Sequence, residues 1–134
     1  MRRMLVAYDG TESSGRALGV AIDLAKALDA AITLIGIIPT REGWPSTDPC
    51  DDEVTHALEL CEAREIVRRS GLEPALLERA GDPAETIERI AGEGDFDMVV
   101  VGSSGPWDQA ARYVGGSVSE HVAAHARVTV VVAR

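Results

Sequence analysis

The feature that most constrains this chain is an alternation. Short apolar runs take turns with longer stretches whose apolar residues recur at helical spacing. The run at 31–38, AITLIGII, is nearly continuous in apolar character. Such a strand is typically buried on both faces, as in a parallel sheet. Runs at 4–8, 73–79, 98–101 and 128–132 predict four more strands. Between the first two, Ala17, Leu18, Ala21, Ile22, Ala25 and Leu28 mark one helical face. A charged helix is predicted over 53–70 with Val54, Ala57, Leu58 and Cys61 on one side. A shorter helix turns Ala84, Ile87, Ile90 and Ala91 inward, and 117–126 predicts a fourth. The order β-α-β-α-β-α-β-α-β implies an α/β fold, an open parallel sheet of five strands with helices on both faces. At 134 residues one domain, 1–134, is expected, with a core large enough to need no staples.

Punctuation agrees with the periodicity. DGTESS at 9–14 is a turn rich in N-cap residues, and Asp82-Pro83 supplies an N-cap followed by a natural first helical residue. Gly71 fits a helix C-cap. Pro74 weakens the third strand and suggests an edge position. Residues 39–52 carry three prolines and a glycine and read as a loop.

Charge and cysteine content exclude several classes. A net charge of −9 argues against nucleic acid and anionic membrane surfaces as general partners, because neither gains counterion release from an acidic protein. No apolar run approaches a membrane span, and the opening MRRMLVAYDG reads as a strand and not a signal peptide. Cys50 and Cys61, eleven apart, match neither a CxxC pair nor a zinc knuckle. They are expected to be reduced thiols in a cytoplasmic protein, with Cys61 toward the core.

The candidate site follows from the glycines in VGSSGPWDQAARYVGGSVSE, residues 101–120. Ligands of open α/β sheets bind beyond the carboxyl ends of the strands, where the winding reverses. Gly102 and Gly105 leave the fourth strand, and Asp9 leaves the first. If those strands are neighbours, Asp9 and Gly102 face each other. Backbone N–H groups at Gly102 and Gly105, with a helix beginning at Gly116 and Ser117, would suit an anion without a lysine. Asp9 could accept from a ribose. The same glycines and serines are also common turn chemistry, and the pattern is neither a P-loop nor GxGxxG.

These residues resemble the universal stress protein family along nearly the whole chain. The resemblance rests on MLVAYDGTESSGRAL, GDPAETI, VVVGSSG, GSVSEHVAAHA and VTVVV, in that order. It implies a Rossmann-like sheet in the order 3-2-1-4-5. It also implies a homodimer paired through the last strand, which opens at Val128 and closes at Val132. Nucleotide-binding members carry G-x2-G-x9-G-[S/T] and hold ATP, often with a divalent cation such as Mg²⁺ or Mn²⁺ on the phosphates. Carried over, Gly102, Gly105, Gly116, Ser117 and Val118 match the phosphate and ribose loop. Asp9 matches the acid that contacts the nucleoside, and Ala7 and Ile37 match positions flanking adenine. The chain departs from the pattern by one extra residue before Gly116-Ser117. It also has Pro106, Trp107 and Asp108 where many members have a basic residue. Aspartate beside a triphosphate is unfavourable unless a cation lies between, though Arg112 could compensate.

Other constellations are weaker. His121 and His125 are four apart on a helix, but no third ligand stands at suitable spacing, so no side-chain metal site is expected. Asp48, Asp51 and Asp52 lack calcium-loop spacing. Ser103, Ser104, Ser117 and Ser119 lack a nucleophile elbow. Trp44 and Trp107 lie in loops on the ligand side, with cover of the cleft the first reading for Trp107. A phospho-receiver would need a lysine after the fifth strand, and the single lysine is Lys26. Catalysis is not expected beyond slow ATP hydrolysis, because no general base is evident. The reading is a regulatory module that binds ATP or a related adenine nucleotide. The alternative is a dimer that acts through protein contacts without nucleotide.

Overall fold

A computed structural model describes residues 2–39, 53–103 and 118–134, with backbone alone at residues 39 and 53–56. The described chain runs β1 (Arg2–Ala7), α1 (Glu12–Leu28), β2 (Ala30–Pro39), α2 (Glu53–Arg69), β3 (Ala75–Gly81), α3 (Pro83–Glu93), β4 (Met98–Gly102), α4 (Val118–His125) and β5 (Thr129–Ala133). All pairings are parallel, and the sheet order is β3-β2-β1-β4-β5. β1 lies at the centre. It pairs with β2 from Arg2↔Ala30 to Ala7↔Ile35 and with β4 from Met4↔Met98 to Val6↔Val100. β3 forms one edge, as Pro74 suggests, and β5 the other.

Alternation along the strands divides the core in two. On the side of α1 and α2, Met4, Val6, Tyr8, Leu34 and Val100 pack with Ala17, Leu18, Ala21, Leu60, Ala63 and Val67. On the side of α3 and α4, Leu5, Ala7, Ile35, Ile37, Val99 and Val101 pack with Ala84, Ile87, Ala91, Val118 and Val122. β2 is buried from Ile32 through Ile37, so its continuous apolar run does report a strand covered on both faces.

Thr11 caps α1 by accepting from the Ser14 N–H, and Asp82 caps α3 by accepting from the Glu85 N–H with Pro83 following. The strand at 128–132 begins one residue later than the sequence predicts: β5 runs Thr129–Ala133, and Gly102↔Ala133 is its last pair with β4. The predicted strand at 73–79 likewise shifts to Ala75–Gly81. The face expected for α2 is wrong. Cys61 is exposed and Leu58 is 65% exposed, while Leu60, Ala63 and Val67 are buried. The helix carries two apolar rows, and the fit against β2 selects one of them. Leu60 lies over Gly36, where a Cβ would meet its side chain at 3.6 Å.

Candidate functional site

The crevice expected from the sequence lies between the carboxyl ends of β1 and β4, which are hydrogen-bonded neighbours. β1 continues to Tyr8, whose N–H donates to Ile35 O (3.1 Å), and then turns sharply at Asp9-Gly10. Gly10 sits at φ +80°, and a Cβ there would come within 3.1 Å of the Glu59 side chain. Glycine is therefore required by conformation, and any side chain here would also press on Glu59.

Asp9 is buried, and its Oδ1 accepts from the Thr11 N–H (3.1 Å) and the Thr11 hydroxyl (2.5 Å). The Ser14 hydroxyl donates to Thr11 O (3.0 Å) and accepts from the Asp9 N–H (3.3 Å). Asp9, Thr11 and Ser14 thus form one closed network that fixes both the acid and the start of α1. One carboxylate oxygen serves the turn, and a carboxylate retains acceptor capacity on the other. Burial, then the charges of Glu62, Glu59 and Asp9, push the Tyr8 phenol above its ordinary value. The end of β1 is therefore an acidic rim, suited to hydroxyl donors and cations more than to bare anions.

Gly102 has a packing reason beside the one its spacing suggests. It is the last residue of β4, and a Cβ would collide with Ser13 Oγ and come within 2.7 Å of Ser13 O. The glycine lets the first turn of α1 approach β4. The next N–H, from Ser103, donates to Ala133 O (2.9 Å) and continues the sheet. Ala7 and Ile37 are fully buried side chains of the same core cluster as Val118, which opens α4. Ala7, Asp9, Ile37, Gly102 and Val118 are thus described. Gly105, Gly116 and Ser117, with Trp44, Trp107, Asp108 and Arg112, lie outside the described residues.

The fold also adds partners that spacing does not reveal. Glu59 over Gly10 comes from α2, and Glu88 on α3 lies 2.6 Å from His121 Nδ1 on α4. The N-cap run DGTESS signals the Thr11 and Ser14 roles, whereas no local signal marks Glu59 or Glu88.

With this geometry in place, comparisons with known proteins are informative. The model of the universal stress protein family matches residues 1–134. The stress response protein NhaX of Bacillus subtilis is 30% identical over 162 residues, covering 98% of this chain and 97% of that protein. The crystal structure of a universal stress protein in complex with cAMP aligns with a TM-score of 0.78 at 23% identity, covering 99% of this chain and 97% of the other. The universal stress protein from Archaeoglobus fulgidus in complex with dAMP aligns with a TM-score of 0.77 at 21% identity, covering 100% and 98%.

Proposed function

Because this chain belongs to the universal stress protein family, we propose that it is a cytoplasmic regulatory module that binds an adenine nucleotide between β1 and β4. ATP is the ligand of choice, with Mg²⁺ or Mn²⁺ on its phosphates. The single observation that supports this reading is the pairing of β1 with β4, which brings the carboxyl ends of the two strands, leading to buried Asp9 and to Gly102, side by side at the sheet's switch point. Relatives of the same fold in complex with cAMP and dAMP support an adenine nucleotide in particular. In this reading Asp9 accepts from the ribose, Ala7 and Ile37 back the adenine, and Gly102, Gly105, Gly116, Ser117 and Val118 hold the ribose and phosphates. A cation on the phosphates would offset the acidic rim of Asp9 and Glu59. The protein works as a homodimer joined along β5, and the nucleotide changes the surface it offers to a partner.

One observation favours the second reading, a dimer that needs no nucleotide. Gly102 is required by the approach of Ser13, so its presence is explained without a phosphate. Calorimetry on nucleotide-stripped protein separates the two. ATP with Mg²⁺ should bind in the micromolar range, and Gly116→Val and Asp9→Asn should each weaken it by about tenfold or more, roughly 1.4 kcal/mol. Absence of binding at millimolar ATP, with or without Mg²⁺, would leave the nucleotide-free dimer as the function.

A further inference from the structure

On the face away from α1, α3 and α4 bring two imidazoles and a carboxylate together. Glu88, His121 and His125 each offer one ligand atom, and these atoms lie within 4.8 Å of one another. Glu88 and His121 are partly buried, and His125 is exposed. Glu88 Oε1 lies 2.6 Å from His121 Nδ1, and the two imidazole rings stack with centroids 4.3 Å apart. From this convergence we propose that Glu88, His121 and His125 bind a divalent transition-metal ion of the zinc class.

The chemistry of the donors supports the assignment. His125 Nδ1 lies 2.9 Å from the His121 carbonyl oxygen. A carbonyl only accepts, so Nδ1 carries the proton and Nε2 presents the lone pair. This is the hydrogen bond by which proteins orient a ligating histidine. Across their short contact His121 Nδ1–H donates to the Glu88 carboxylate, which can only accept. Two ligands of a tetrahedral ion with bonds of about 2.0–2.1 Å stand about 3.3 Å apart. An ion can therefore take the proton's place if the two side chains part by less than an ångström. Two imidazoles and a carboxylate form a common zinc donor set, which leaves a fourth position for water. Imidazole also suits nickel and copper, whereas magnesium and calcium prefer oxygen.

Access and surrounding charge fit the same reading. An open hollow of about 380 Å³ is lined by residues that include Glu88, Glu93, His125, Arg89 and Arg127. Solvent therefore reaches the donors, and the two arginines oppose the two glutamates, so the hollow has no strong excess of either sign. The His121 side chain is 40% exposed and that of Glu88 is 20% exposed, so both can turn without unpacking the core. An ion here would fasten α4 to α3, two helices that otherwise meet through few buried side chains of α4: Val118, Ser119 and Val122.

The test uses the full chain without a histidine tag, stripped with chelator, and titrated with Zn²⁺ by calorimetry and with Co²⁺ by visible absorption. One ion per chain should bind, with d–d bands of low coordination number for Co²⁺ and a raised melting temperature. His121→Gln, His125→Gln and Glu88→Gln should each weaken binding by more than tenfold, since each removes one ligand. His56→Gln, which removes the remaining histidine, should leave binding unchanged. Circular dichroism checks that each variant is folded. Failure of the parent to bind one equivalent would overturn the assignment. Parent-like affinity in both His121→Gln and His125→Gln, or a comparable loss in His56→Gln, would also overturn it.

Discussion

The two faces of the sheet are built differently. On one, the 17-residue helices α1 and α2 lie against the strands, and α1 buries seven residues. Its first turn is fixed at both ends of the crevice, by Asp9 and Thr11 on one side and by the Gly102–Ser13 approach on the other. On the other face, α3 has 11 residues and α4 has 8, and α4 buries three. A polar contact, Glu88 to His121, ties these two helices. The firm face thus positions the acid at the end of β1. The lighter face carries α4, the shortest of the described helices.

Paired truncations test this contrast most strongly. Leu18 and Ile87 are both fully buried, on opposite faces. Each loses three carbons on substitution by alanine, so the transfer terms match and the cavity term separates them. Leu18→Ala should fall near the top of the range of about 2–5 kcal/mol for such truncations, and Ile87→Ala near the bottom, as its neighbours collapse. Urea denaturation measures both, and equal losses would break the comparison.

Gly102→Ala sharpens it at the crevice itself. The added methyl meets the backbone of Ser13, which cannot swing aside. A loss of about 1–3 kcal/mol is expected, the usual cost of overpacking. A neutral Gly102→Ala would mean that α1 is not held against β4.

The smallest effect concerns Tyr8. Its phenol is held neutral by burial and by nearby carboxylates, so its folded pKa lies above the unfolded value of about 10. That stability is fully present below the unfolded pKa and is lost as pH rises through the folded one. Alkaline melting curves should therefore fall more steeply for the parent than for Tyr8→Phe. Identical slopes would remove the acidic rim from the account.

What the sequence made legible follows from how local each cause is. The strands, the α1 and α3 faces and both caps rest on neighbouring residues, such as Asp82-Pro83 or Ala17-Leu18-Ala21-Ile22, and these expectations match the structure apart from shifts of one or two residues at strand ends. The α2 face was not legible, because the helix carries two apolar rows and its packing against distant residues such as Gly36 of β2, over which Leu60 lies, shows which one is buried. Gly102 was read as a feature of an anion loop, and the structure gives it a packing reason in Ser13, far away in sequence. Glu88 stayed hidden for the same reason: its partner His121 is 33 positions away.

The central place of β1 has a kinetic consequence. Arg3 and Asp97 exchange backbone and side-chain hydrogen bonds across 94 positions of chain, beside the pairing of β1 with β4. Contacts so distant in sequence close late and slow the search for the native state. The crevice therefore joins β1 to a strand about 94 positions further along the chain, and a chain interrupted before β4 has half a site.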